Sequence, residues 1–78
     1  MLKRHITRWE ANILARQAQL LASENKHKMA IKVCTRVVDQ VAYIEDQALL
    51  SRVLFYRGSA YGNTHEFKLA ANDFKIAT

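Results

Sequence analysis

These 78 residues contain no proline and only two glycines, Gly58 and Gly62, which stand four apart. Proline removes a backbone donor and clashes with the preceding helical turn, and glycine loses the most conformational freedom on ordering. A chain almost free of both has little to interrupt helices. Apolar residues recur at spacings of three and four, and strict alternation is absent. The pattern predicts an all-α fold of four helices, over about residues 6–22, 26–44, 47–61 and 65–78. "SENK" makes the first turn, with Asn25 able to take a left-handed conformation. Asp46 is placed to cap the third helix, "GNT" to break the chain after it, and Thr64 to cap the fourth, where Glu66 complements the dipole.

A single domain of this length buries only about 60% of the surface that its unfolded chain exposes, too little for an elaborate enclosed active site. Half the residues are apolar and 24% are charged, a globular composition. No apolar run approaches the ~20 residues of a membrane span. The opening MLKRHITRWE has positive charge without the apolar centre of a signal peptide, which reads as an intracellular, cytoplasmic protein. Cys34 stands alone, with no second thiol for a disulfide or a zinc site, and reads as a small buried apolar residue.

The net charge of +5 is unevenly spread. Residues 1–36 carry eight Lys/Arg against Glu10 and Glu24, a surplus of six; residues 37–78 carry four against five, a deficit of one. Within the second helix, Ala30, Val33, Cys34, Val37 and Val41 form an apolar stripe, and Lys28, Lys32, Arg36 and Asp39 a polar one, so one face is buried. In the third, Leu50, Val53, Leu54, Gly58 and Tyr61 share a face, and Gly58 leaves room for a close helix contact. Arg57, in the middle of that face, reads as a packed stem whose guanidinium finds a carboxylate, with Asp73 one candidate.

Four helices joined by tight turns imply two hairpins, at about residues 6–44 and 47–78, and the second repeats the first. An offset of 40 puts Ala18 on Gly58, Leu21 on Tyr61, His27 on Phe67, Ala30 on Ala70, Cys34 on Phe74 and Val37 on Ala77. The order Gly58, Tyr61, turn, Phe67, Ala70, Phe74, Ala77 resembles a tetratricopeptide repeat, over about residues 50–78. Leu14, Ala18, Leu21, Ala30 and "KVCTRVV" carry a weaker form of the motif over residues 11–44, with Gln17 where an apolar residue is usual. The offset exceeds the family's ~34 residues, and a longer second helix would absorb the difference. The resemblance implies two hairpins stacked as a short right-handed solenoid and a non-enzymatic protein-binding role.

It also implies a concave surface lined by the first helix of each hairpin: Asn12, Ala15, Arg16 and Gln19, then Arg52, Phe55, Tyr56, Ser59 and Asn63. There Arg16 and Arg52 would meet carboxylates, Asn12 and Asn63 main-chain amides, and Phe55 and Tyr56 apolar groups. The Lys and Asn arrangement by which chaperone-binding members of the family grip a terminal carboxylate is not reproduced. Tails of that kind are therefore disfavoured as partners.

No nucleophile and base recur at a motif spacing, and no glycine-rich loop precedes a helix in a phosphate-binding pattern. His5, His27 and His65 have no i, i+4 partner among metal ligands, so neither metal nor other cofactor is expected. Glu45 and Asp46 are chain neighbours, which do not face each other on a helix. The alternative to a protein-binding module is a nucleic-acid-binding domain using Lys28, Lys32 and Arg36, an i, i+4 row that could follow phosphates. No interleaved aromatics support it. On the first helix Leu2, Ile6, Trp9, Ile13 and Leu20 share one side and Leu14, Ala18 and Leu21 another. With Phe74 on the last helix, the first of these sides gives a surface for self-association, as in a homodimer.

Overall fold

Helix starts and stops in the computed structural model, which describes residues 6–40 and 45–77, are set by a few polar side chains. The elements are α1 (Arg8–Ser23), α2 (His27–Val38), α3 (Gln47–Asn63) and α4 (Phe67–Ala77), and no strand occurs among the described residues. Thr7 opens α1 with a capping box: its hydroxyl accepts the Glu10 N–H at 3.0 Å, and the Glu10 carboxylate accepts the Thr7 N–H at 3.3 Å. Asp46 caps α3 as the sequence implies, its carboxylate accepting the Leu49 N–H at 3.0 Å. No helix among the described residues is long and apolar enough to cross a membrane.

The two hairpin turns are the same object 40 residues apart. In the first, Lys26 N–H reaches Leu21 O at 2.8 Å and Asn25 N–H reaches Ala22 O at 3.0 Å. In the second, Glu66 N–H reaches Tyr61 O at 2.8 Å and His65 N–H reaches Gly62 O at 3.2 Å. Asn25 and His65 carry the left-handed backbone this double bond requires, with φ of 63° and 65°. Neither glycine supplies the left-handed residue, since neither has a positive φ, and the break falls at Thr64 and His65 rather than at Gly62. Thr64 also differs from its expected role. Its hydroxyl donates back to Ala60 O at 3.2 Å and Tyr61 O at 3.1 Å, so it closes α3 instead of capping α4.

A second correction concerns α2, which ends at Val38 rather than near residue 44; the chain turns at Asp39 and Gln40. An aspartate is a poor interior helix residue and its charge opposes the negative end of the dipole, so continuation past Val38 is disfavoured. The longer repeat is thus not explained by a longer second helix. Val41 of the expected stripe lies outside the described residues.

α1 packs on α2, α2 on α3, and α3 on α4, with a smaller contact between α1 and α3. The main core cluster gathers Ile6, Ala11, Ala15 and Ala18 from the first segment, Cys34 and Val37 from α2, and Leu49 and Val53 from α3. A second cluster joins Leu21, Ala30 and Ala60. α3 is therefore buried on two sides: Leu49, Val53 and Ala60 face the first hairpin, while Gly58 faces α4. A Cβ on Gly58 would stand 2.8 Å from Cε1 of Phe74, so the missing side chain is what lets that ring lie on the α3 backbone.

Arg57 joins three helices. Its guanidinium donates to both oxygens of Asp73 on α4, at 2.7 and 2.9 Å, and to the Thr35 hydroxyl of α2 at 3.3 Å. It also lies 5.6 Å from the Tyr61 ring centre. Asp73 is only 2% exposed, and its hydrogen bonds hold the Arg57 pKa above its ordinary value. The first hairpin has no such pair, since Gln17 and Val33 stand at the corresponding positions.

Cys34 is fully buried, and burial pushes its thiol up to about 11, with Arg57 pulling down and Asp73 pushing up as smaller influences. Since the folded value lies above the ordinary 9.0, the protonated thiol stabilises the fold fully below pH 9, and that contribution is lost as pH rises through about 11. Alkylation by iodoacetamide at pH 8 is accordingly expected to run at least about 100-fold slower than for a free cysteine, and to recover in denaturing urea. Rapid modification of the native protein would show that the α2–α3 seam opens readily.

Candidate binding groove

Helices α1 and α3 lie side by side with a groove of about 510 Å³ between them, lined by Trp9, Asn12, Ile13, Ala15, Arg16, Gln19, Arg52 and Tyr56. Small Ala11, Ala15 and Ala18 turn the inner side of α1 into the core, which leaves positions 12, 16 and 19 at the rim. Arg52 reaches across from α3, its Nη2 donating to Asn12 Oδ1 at 3.0 Å. Asn12 is in turn held by a bond from its Nδ2 to Arg8 O at 3.0 Å. The rim is thus braced by hydrogen bonds to neutral acceptors, which leave the Arg52 charge uncompensated. Among the described residues no aspartate or glutamate lines the groove.

Of the residues expected on a concave surface, Asn12, Ala15, Arg16, Gln19, Arg52 and Tyr56 converge here. Tyr56 also packs against the main core cluster, so its ring position is fixed. Ser59 and Asn63 lie further along α3 outside the groove, and the Asn63 amide donates to Ser59 O at 2.9 Å. Phe55 faces elsewhere. Its ring tilts against Phe74 at a centre distance of 5.6 Å, in a second, apolar hollow of about 520 Å³ lined by Ser51, Arg52, Phe55, Phe74 and Ala77.

The residues assigned to self-association divide. Trp9 is 73% exposed and Ile13 50%, and both also edge the groove, which the i, i+3, i+4 spacing of Trp9, Asn12, Ile13 and Arg16 could have shown. Ile6 is buried in the core, 4% exposed, so it is corrected from a surface residue to a packing residue. It precedes α1, where helical periodicity no longer fixes its direction. Leu2 lies outside the described residues. Lys28, Lys32 and Arg36 are exposed along the outer face of α2, away from the groove, with no aromatic between them. Among the described residues no three of His, Cys, Asp and Glu come together as a metal site would require.

Compared with family models, curated proteins and solved structures, the chain matches none.

Proposed function

We propose that the chain is a non-enzymatic interaction module that holds an acidic peptide, or an acidic segment of a protein, in the groove between α1 and α3. The observation that carries this reading is the lining itself: two guanidiniums, Arg16 and Arg52, beside Trp9 and Tyr56, with no acidic residue among them. Guanidiniums bind carboxylates with paired, charge-assisted hydrogen bonds, and aromatics supply area at low entropic cost. Asn12 and Gln19 add amide groups suited to an extended backbone. The tetratricopeptide-like order of residues 50–78, and the recurrence of one turn at a 40-residue offset, agree with a scaffold whose inner helices present the binding surface.

Trp9, the single tryptophan, edges the groove and serves as the probe. Titration with a ten-residue peptide of alternating Asp and Leu is expected to shift its fluorescence with micromolar affinity, about 10-fold or more weaker after Arg16→Glu or Arg52→Glu. An alternating Lys and Leu peptide is expected not to bind. Equal binding of both peptides, or indifference to both reversals, would sink the reading. The second reading, nucleic acid along Lys28, Lys32 and Arg36, rests on three exposed cations in one row. Backbone contacts are strongest at low salt, so absence of DNA and RNA binding at about 50 mM salt disposes of it.

A further inference from the structure

The 40-residue correspondence that relates the two turns also relates the two ends of the molecule. Within the chain, α3 seats on the first hairpin by placing Leu49 and Val53 among Ala11, Ala15, Cys34 and Val37. Moving each seat residue on by 40 gives Ser51, Phe55, Phe74 and Ala77, and these, with Arg52, line the apolar hollow of about 520 Å³ on the second hairpin. Moving the inserted residues back by 40 gives Trp9 for Leu49, Ile13 for Val53 and Leu20 for Ala60. Those three are 73%, 50% and 59% exposed, whereas their counterparts are 2%, 0% and 1% exposed. The second hairpin thus carries an open apolar hollow and α1 an exposed apolar face, at the positions that correspond to the two sides of an interface made internally.

We propose that a second copy of this chain fills the hollow, with its α1 docking head to tail so that Trp9 and Ile13 lie against Phe55, Phe74 and Ala77. Two further observations select a second copy as the occupant. The internal contact carries the bond from Arg52 to Asn12. In the head-to-tail contact Arg52 of the seat takes the place of Asn12, and Asn12 of the incoming copy takes the place of Arg52, so the same donor and acceptor meet with their helices exchanged. The charge also fits: the half bearing α1 has a surplus of six positive charges and the half bearing the hollow a deficit of one, so unlike ends attract and two basic ends repel. The side chains are larger than in the internal contact, aromatics standing in place of alanine, cysteine and leucine, and the open hollow provides the volume for them.

Such an interface uses different patches on the two partners, and it grows or closes into a ring rather than stopping at a symmetric pair. That gives a decisive test which does not depend on what the groove binds. Light scattering after size exclusion is expected to show the wild-type mass rising above 9.0 kDa with concentration up to about 200 µM. Of the two surfaces that meet, Trp9→Glu spoils the inserted face and leaves the seat intact, and Phe55→Glu does the reverse; each alone is expected to weaken association about 30-fold or more and run as a monomer. Mixed together, the two variants restore one intact interface, from the seat of Trp9→Glu to the α1 of Phe55→Glu, and stop at twice the monomer mass. Circular dichroism confirms that each variant is folded, and Ile13→Glu with Ala77→Lys repeats the experiment should one of them not be. A wild type that stays monomeric, a mixture that stays monomeric, or a single variant that still pairs with itself overturns the proposal.

Discussion

Asp73→Ala is expected to destabilise the domain by about 3 kcal/mol or more, the usual result of removing one partner from a buried ion pair. Asp73 is 2% exposed and the Arg57 side chain 15%, so the guanidinium left behind keeps only Thr35 and the face of Tyr61 as partners. A domain of this size holds on the order of 4–12 kcal/mol in total, and the loss takes a large share of it. The pair ties α4 to α3 while Thr35 ties both to α2, so the damage spreads beyond one helix. Replacing both members, as Arg57→Met with Asp73→Leu, removes the stranded charge and is expected to recover most of the stability. Urea unfolding followed by circular dichroism measures all three. Should Asp73→Ala unfold at the wild-type midpoint, the pair contributes nothing to the joint. A double variant no better than the single one would mean that the position tolerates no apolar replacement.

This pair was legible because Arg57 interrupts an apolar face, and a charge in such a place needs an opposite charge within reach. Asn25 and Asp46 were legible for a similar local reason: the left-handed turn and the N-cap are each decided by one side chain and its own backbone. Thr64 was misplaced because a hydroxyl between two helices can serve the end of one or the start of the next. The choice falls with His65, which takes the left-handed position and leaves Thr64 on the α3 side. Leu49 and Ala60 were missed as core residues since α3 is buried on two sides, and a helix apolar nearly all round offers no single stripe to read. The groove was legible in its charged and amide residues. Trp9 and Ile13 were not placed in it, although their i, i+3, i+4 spacing with Asn12 and Arg16 carries the signal, because side chains on the boundary between two surfaces belong to both.

Ala70→Trp is expected to prevent stable folding, while Ala71→Trp, one residue on, leaves stability unchanged within about 0.5 kcal/mol. Ala70 is 5% exposed and shares the inner side of α4 with Asp73, whereas Ala71 is exposed. Helical spacing sets positions 70, 73, 74 and 77 toward α3 and turns position 71 away. An indole at position 70 would replace a buried methyl group, and forcing large groups into a packed contact costs about 1–3 kcal/mol even where neighbours can adjust. Here adjustment means lifting α4. That separates the Arg57 guanidinium from Asp73 and draws the Phe74 ring off the Gly58 backbone, so the overpacking cost is compounded by the loss of the ion pair. The two variants add the same side chain to the same helix and differ only in the face that carries it. Helix content and thermal unfolding by circular dichroism compare them directly. Equal unfolding temperatures for the two would place Ala70 on the surface and undo the 40-residue register on which the head-to-tail contact is built.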